Sequence, residues 1–320
     1  MGDTHGEPVH IVCQDGTSLG AHLWPAATGM CCGKVIINAA TGVQARYYHR
    51  YARFLSDHGF TVLTYDYRGI GLSRPASLRG YACRWADWGE KDFSAAVDFI
   101  LEREPGGPLV VVGHSIGGFL PGLAANAASI ERMLTVGAQY GYWRDYAAAH
   151  RWRLALKWHL VMPLLTAAFG YFPGKWLGWL EDLPAGVARD WGFRHARVEL
   201  SHPRSSRGNI LHRLASVTAD ALALCISDDD IATPSAIRRA LRYYENAKVT
   251  AVLLTPEDFG CQPIGHFGPF HDRHAAGFWL DTVLWLRDGI NPWPGRPLEA
   301  MEATDVQAVD LHYVRGRGLI

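Results

Sequence analysis

A serine lies between glycines directly after an apolar run in the first half of the chain. Residues 113–118 read Gly-His-Ser-Ile-Gly-Gly, and they follow Leu-Val-Val-Val at 109–112. A Gly-x-Ser-x-Gly pattern between a strand and a helix places the serine on a tight, strained turn, because the glycines leave room where side chains would clash. The pattern therefore predicts that Ser115 presents its Oγ as a nucleophile at the start of a helix.

A serine nucleophile requires a base that takes its proton and an acid that orients the base, here in the chain order serine, acid, histidine. An apolar segment at 221–227 is typical of a buried strand, and it leads into three aspartates at 228–230. Carboxylates at the carboxyl end of a strand lie where open α/β sheets place their sites. A further predicted strand at 249–254 is followed by a loop that carries His266 between two neighbouring glycines. His266 is therefore the candidate base.

Five segments, taken together, resemble the α/β-hydrolase superfamily and, within it, the predicted serine hydrolases of the serine-aminopeptidase-like branch. They are Ala-Thr-Gly-Val at 40–43, the run at 60–75, the serine motif at 113–118, Ser-Asp-Asp-Asp at 227–230 and Ile-Gly-His-Phe-Gly at 264–268. Their occurrence in this order is a much more specific signal than any one of them alone. The resemblance implies an α/β-hydrolase fold, a Ser-Asp-His triad and acyl transfer from an ester or an amide, and it names no substrate.

The triad acid is left open between two neighbouring aspartates, because two alignments to the family pattern differ by one residue. If the family pattern is aligned from the start of the strand, Asp220 occupies the place where the family usually has a proline. This alignment assigns the acid to Asp229. Counted back from Pro234, the acid is Asp230. We favour Asp229, because the first count also matches residues 231–232 to the pair that follows the acid in the family. The remaining aspartates are expected to cap the helix that begins near Pro234.

The attacked carbonyl oxygen becomes negatively charged, so the mechanism also needs two preorganised N–H donors. The first candidate is the backbone N–H of Ile116, at the start of the helix after the serine, where amides are unpaired and the helix dipole favours an anion. The second is expected from the loop after the predicted strand at 34–37, either Ala40 or Thr41. Many relatives carry His-Gly in this loop, where this chain has Asn-Ala-Ala-Thr-Gly at 38–42. The second donor is therefore left open.

The composition is that of a globular protein without an electrostatic footprint for nucleic acid. The chain has 320 residues, 48% of them hydrophobic, and 31 basic residues balance 31 acidic ones. A net charge of zero gives no basis for binding DNA or RNA. The six cysteines lack metal-type spacing and are expected to be free thiols in a reducing compartment: Cys13, Cys31, Cys32, Cys83, Cys225 and Cys261. No secretion signal is visible at the N-terminus, so the expected location is cytoplasmic.

The order of predicted elements indicates a mostly parallel central sheet with helices on both faces. Strands and helices alternate in 1–139 and again in 220–287, which together form the predicted core. Residues 140–219 interrupt the alternation and are rich in aromatic side chains, and in the superfamily an insertion at this point is usually a helical cap (lid) over the active site. Residues 288–320 are a predicted C-terminal extension. Charges and a proline make a membrane span unlikely within the cap, although an interfacial lid is left open.

We therefore expect a serine hydrolase, most simply a carboxylesterase for small to medium apolar acyl groups. Its partner is then a small-molecule acyl ester, with no nucleic acid, no metal and no organic cofactor. Two alternatives stay open. The same triad serves acyltransferases and thioesterases, and a catalytically idle relative would only bind a ligand in the cap pocket. Subunit number is not readable from the sequence, so a homo-oligomer is also left open.

Overall fold

A computed structural model of the chain describes residues 6–27, 32–261 and 263–299. Cys31, the first five residues and the predicted extension from residue 300 onward lie outside the described residues. The five other cysteines are free thiols. None of the helices in the described part of the chain combines the length and the apolar composition that crossing a bilayer requires.

An eight-stranded sheet forms the centre of the molecule, and a separate pair of short strands lies outside it. The strands are β1 (Glu7–Val12), β2 (Ser18–Trp24), β3 (Gly33–Asn38), β4 (Phe60–Tyr65), β5 (Leu109–His114), β6 (Arg132–Val136), β7 (Tyr171–Phe172), β8 (Leu183–Pro184), β9 (Asp220–Ile226) and β10 (Val249–Leu254). The order in the large sheet is β1-β2-β4-β3-β5-β6-β9-β10. β2 is antiparallel to both of its neighbours, and all other pairs are parallel. The predicted mostly parallel sheet is thus confirmed.

Short helices pack around the sheet. They are α1 (His49–Asp57), α2 (Trp85–Asp87), α3 (Ser94–Arg103), α4 (Arg151–Leu156), α5 (Met162–Phe169), α6 (Ala185–Gly192), α7 (Arg207–Ala215), α8 (Pro234–Leu241) and α9 (Leu280–Asp288). Single π-helical segments join α2 to α3 and α4 to α5, and a third precedes α9. α1 contacts β2 and β4, α3 contacts β3 and β4, and α9 contacts β6.

The central strands are buried along their whole length and are mostly apolar. Every residue of β3, β4 and β5 is buried. Continuous apolar runs are the pattern expected of parallel strands that are buried on both faces. The sheet is therefore a rigid platform, and the loops at the carboxyl ends of β5, β6, β9 and β10 lie together at one edge.

The chain after the serine differs from the sequence prediction. Two short 3₁₀-helices, Ser115–Gly118 and Leu120–Leu123, occupy the place where an α-helix was expected. Glycine and proline are the poorest helix formers, and this segment contains three glycines and one proline. Gly117 also lies so close to the sheet that a Cβ there would stand 2.3 Å from the backbone oxygen of Asn38. Close approach to β3 therefore takes precedence over helix formation.

The segment between β6 and β9 contains four of the α-helices, α4 to α7, and the small β7–β8 pair. Its aromatic side chains pack on one another, and the rings of Trp158 and Trp191 stack with their centres 4.5 Å apart. Part of this segment also contacts the core, since α6 packs on α2. The boundaries at 139/140 and 219/220, which would make it a separate cap, stay a prediction.

Candidate active site

Ser115 has a backbone conformation that L-residues rarely adopt. Its φ of 55° makes it the one non-glycine residue with positive φ in the described ranges. The turn is tight, because a Cβ on Gly113 would lie 2.3 Å from the Cα of Gly118. Such strain persists only where the surroundings enforce it, and it is concentrated at functional sites. The fold thus places Ser115 on the strained turn that the sequence predicts, directly after β5.

His266 and Asp229 are held together by a short hydrogen bond. The distance from His266 Nδ1 to Asp229 Oδ2 is 2.6 Å, and the two side chains are 8% and 1% exposed. They follow β10 and β9, which are parallel neighbours. The other carboxylate oxygen of Asp229 accepts the N–H groups of Ile231 and Ala232, both at 2.8 Å.

Burial raises the pKa of Asp229, but attraction to His266 and its hydrogen bonds have the larger combined effect, so the pKa lies below its ordinary value. An ionised Asp229 can only accept a hydrogen bond, so Nδ1 of His266 carries the proton. Nε2 of the neutral ring is then the atom that can take a proton.

The two other aspartates of the 228–230 run have different roles. Asp230 pairs with His150 at 2.6 Å, and both side chains are largely exposed. Asp228 accepts the backbone N–H groups of residues 264 and 265 at 2.9 and 2.8 Å, which fixes the loop before His266. The expectation that the leftover aspartates cap α8 is wrong, because the hydroxyl of Thr233 is its N-cap acceptor.

Ser115 and His266 line one cavity of about 200 Å³. Its walls are mainly apolar and aromatic, with Trp85, Leu154, Trp158, Trp179, Val187 and Trp191 among the lining residues. Within the described residues, Oγ of Ser115 accepts a hydrogen bond from Nε2 of Gln139 at 3.1 Å and makes none with His266. Catalytic hydrogen bonds of free enzymes are often long and tighten only when substrate binds.

Two backbone N–H groups on the cavity wall have no acceptor among the described residues. They belong to Ile116 and Thr41, which line the cavity together with Ser115. The N–H of Ala40, the other sequence candidate, already donates to the hydroxyl of Tyr48 at 3.0 Å. This occupation favours Thr41 over Ala40. The helix that begins at Ser115 has only four residues, so the macrodipole adds little to the binding of an anion at Ile116.

The sequence of residues 31–190, half of the chain, matches the family described as serine aminopeptidase, S33. The chain belongs to this family. The resemblance noted from the motifs is thereby confirmed, and the chain is a member of a hydrolase family. No curated protein matches the chain in sequence.

Three solved structures are similar to this S33-family chain. A soluble variant of monoglyceride lipase from Saccharomyces cerevisiae, in complex with a substrate analog, has a TM-score of 0.62 at 17% identity and covers 88% of this chain and 94% of its own. The esterase domain of a Rhodothermus marinus protein has a TM-score of 0.55 at 16% identity, covering 88% and 98%. A malate-bound thermophilic esterase from Thermogutta terrifontis has a TM-score of 0.53 at 15% identity, also covering 88% and 98%. At these identities they establish the α/β-hydrolase fold.

Gln139 is the site residue that the sequence analysis missed in this S33-family chain. It lies three positions after β6, the strand next to β5 in the sheet. Its Oε1 accepts the backbone N–H of Gly141, which fixes the amide so that Nε2 donates to Ser115. The sequence signal that could have identified Gln139 was its position after β6, which lies next to β5, the strand that precedes Ser115. Gln139 thus holds the hydroxyl of Ser115 in place.

Replacing Gln139 by methionine should lower kcat for any accepted ester about fivefold, the contribution of one hydrogen bond of roughly 1 kcal/mol. Gln139→Glu is the informative partner, since a carboxylate still accepts from Gly141 but cannot donate to Ser115. Steady-state kinetics should show a loss in both variants. Full activity of Gln139→Glu would contradict the role assigned to the donor.

The buried side chain of His114, at the end of β5, is hydrogen-bonded to the loop that carries His266. Nε2 of His114 lies 2.8 Å from the backbone oxygen of His266, and Nδ1 lies 2.7 Å from the hydroxyl of Tyr48. A carbonyl can only accept, so Nε2 donates and Nδ1 accepts from Tyr48. Burial, with a smaller contribution from the charge of His266, lowers the pKa of His114 to about 3. His114 is therefore neutral and fixes the backbone of His266 relative to β5.

Proposed function

We propose that this chain is a serine carboxylesterase that uses Ser115 as nucleophile, His266 as general base and acid, and Asp229 as the orienting acid. The observation that carries the proposal is the strained serine, which lines the same cavity as a histidine held through Nδ1 by a buried carboxylate. Membership in a hydrolase family supports it. A small-molecule acyl ester is the proposed substrate.

In the proposed reaction, Nε2 of His266 takes the proton of Ser115 while Oγ forms a bond to the ester carbonyl carbon. The carbonyl oxygen gains a negative charge, which the N–H groups of Ile116 and Thr41 stabilise. Protonated His266 gives its proton to the leaving alcohol as the ester bond breaks. Water then loses a proton to the same nitrogen and attacks the acyl-enzyme. His266 returns this proton to Oγ of Ser115 as the bond to the acyl carbon breaks and the carboxylic acid is released. Asp229 remains ionised and stabilises the imidazolium throughout.

The cavity supports an acyl group of small or medium size. A volume of about 200 Å³ with aromatic and aliphatic walls suits a short hydrocarbon chain. The same walls limit the access of water to the acyl-enzyme until the alcohol has left. Two cations, Lys157 and Arg194, are also among the lining residues.

A fluorophosphonate probe tests the proposal, because it reacts only with an activated serine. We expect one label per chain, located on Ser115 by peptide mass spectrometry, together with hydrolysis of chromogenic esters of graded acyl length. Thioesters of the same acyl groups, assayed in parallel, separate an esterase from a thioesterase. A folded protein whose Ser115 stays unlabelled would contradict the proposal and indicate a ligand-binding protein with an idle triad.

A further inference from the structure

The cavity beside Ser115 carries an unbalanced positive charge. Lys157 and Arg194 both line it, and no aspartate or glutamate is found among the described residues of its wall. Nζ of Lys157 lies 4.3 Å and 4.2 Å from the ring centres of Trp158 and Trp179, so its contacts there are aromatic faces rather than a carboxylate. An apolar pocket of this kind would attract an anion more strongly than a neutral molecule.

Arg194 is the more unusual of the two cations. It is 7% exposed, and its Nε and Nη1 are buried without a hydrogen-bond partner among the described residues. Its guanidinium carbon lies 4.2 Å from the ring centre of Trp85. The charge of Asp190 acts on Arg194, but that carboxylate is bound by Arg84, whose Nε lies 3.2 Å from each oxygen. Burial lowers the pKa of Arg194 to about 10, so the side chain remains a cation at neutral pH.

Two neutral donors on residues of the same cavity wall are also unsatisfied. The indole N–H groups of Trp85 and Trp158, two further residues of the cavity wall, are buried without an acceptor in the described part of the chain. Native proteins leave few buried polar groups unpaired, and an unpaired buried charge is especially unfavourable. These atoms have almost no accessible surface, so a ligand in the cavity would reach them only after the side chains turn towards it. Unpaired donors on several residues of one cavity wall indicate a ligand that supplies acceptors.

We propose that the substrate is an ester whose acyl chain ends in a carboxylate, and that Arg194 binds this carboxylate while the ester carbonyl lies at Ser115. This inference rests on the proposed esterase function and names its substrate class. A planar guanidinium matches the two oxygens of a carboxylate, and Lys157 adds a second positive charge. The aromatic side chains that line the same cavity suit methylenes rather than further polar groups. The substrate class is therefore the half-esters of aliphatic dicarboxylic acids.

The test compares pairs of 4-nitrophenyl esters of equal chain length: the adipate half-ester with the hexanoate, and the suberate half-ester with the octanoate. These chains are long enough to avoid rapid attack of the free carboxylate on its own ester. We expect the wild type to have the higher kcat/KM for the half-ester of each pair. In Arg194→Met, the kcat/KM for the half-ester divided by that for the neutral ester of the same length should fall about 10- to 100-fold. This factor is the contribution of a hydrogen bond to a charged group.

Arg144→Met is the matched control. Arg144 is exposed, lies against Trp143 and does not line the cavity, so its loss removes the same charge from the same segment and should leave the ratio unchanged. Arg194→Gln serves as a second variant of similar shape if the methionine variant does not fold. An equal ratio in the wild type and the folded Arg194 variants overturns the inference and leaves the esterase proposal intact.

If the wild type hydrolyses none of these esters, the esterase proposal fails, and the carboxylate site is judged by binding alone. Suberate is then titrated calorimetrically into the wild type and into Arg194→Met. An affinity that is about 10- to 100-fold weaker in the variant supports the carboxylate site. Equal affinities, or no binding to the wild type, overturn it.

Discussion

Replacing Ser115 by alanine should lower kcat/KM for every accepted ester by about four to six orders of magnitude. The reason is that the alanine variant has no atom that can form the acyl-enzyme, whereas the oxyanion donors and the cavity remain. Only the modest rate that binding and the N–H groups of Ile116 and Thr41 provide should persist. Initial rates on the best chromogenic ester, measured at high enzyme concentration, give this residual activity.

Ser129→Ala is a matched control for that experiment. Ser129 is exposed and lies in a short 3₁₀-helix on the connection between β5 and β6, so its replacement should leave the rate unchanged. The alanine at 115 keeps the positive φ that the turn requires, so the strain of the turn is similar in both proteins. Thermal unfolding should therefore occur at a similar temperature. A Ser115→Ala variant that retains more than about a hundredth of the activity would place the chemistry elsewhere.

Local sequence patterns were sufficient to predict the platform of the site. The mostly apolar segments of β3, β4 and β5 indicate buried strands, as expected where helices cover a parallel sheet. The glycines around Ser115 indicate a tight turn because no other residue fits there. Both signals depend on steric requirements that act over a few residues, so a single sequence contains them.

The features that the sequence did not reveal depend on contacts between distant segments. Gln139 reaches Ser115 across 24 positions of the chain, and nothing in its neighbours distinguishes it from other polar residues after a strand. Arg194 lacks a carboxylate partner because Asp190 is hydrogen-bonded to Arg84, which lies more than 100 positions earlier in the chain. The occupied N–H of Ala40 likewise depends on Tyr48 folding back onto the loop. Such pairings are properties of the packed molecule.

The sequence narrowed the triad acid to two candidates, and only the fold distinguishes their surroundings. Two alignments to the family pattern differ by one residue, so spacing alone did not decide whether Asp229 or Asp230 is the triad acid. In the fold, the turn after β9 directs one carboxylate to His266 and the other to His150, on the surface. Backbone N–H groups at 2.8 Å stabilise the charge of Asp229 in a buried position, whereas Asp230 has access to water. The two residues therefore differ strongly in how much a neutral replacement should matter.

Asp229→Asn should lower kcat by about four orders of magnitude, because an amide in place of the carboxylate favours the wrong tautomer of His266 and does not stabilise its cation. The amide oxygen can still accept from residues 231 and 232, so the turn should keep its shape. Asp230→Asn changes only a partly exposed contact with His150, whose contribution to stability is about 0–1 kcal/mol even when it is an ion pair, so kcat should stay within a few-fold of the wild type.

The two asparagine variants serve as each other's control, since they remove the same charge from adjacent positions. Steady-state kinetics on one chromogenic ester, with unfolding temperatures for both proteins, gives the comparison. A large loss in Asp230→Asn with a mild one in Asp229→Asn would reverse the assignment. Equal and mild losses would mean that neither carboxylate orients the base, and His266 would then need another partner in the catalytic state, such as Asp228 after a shift of the loop that it now holds through residues 264 and 265.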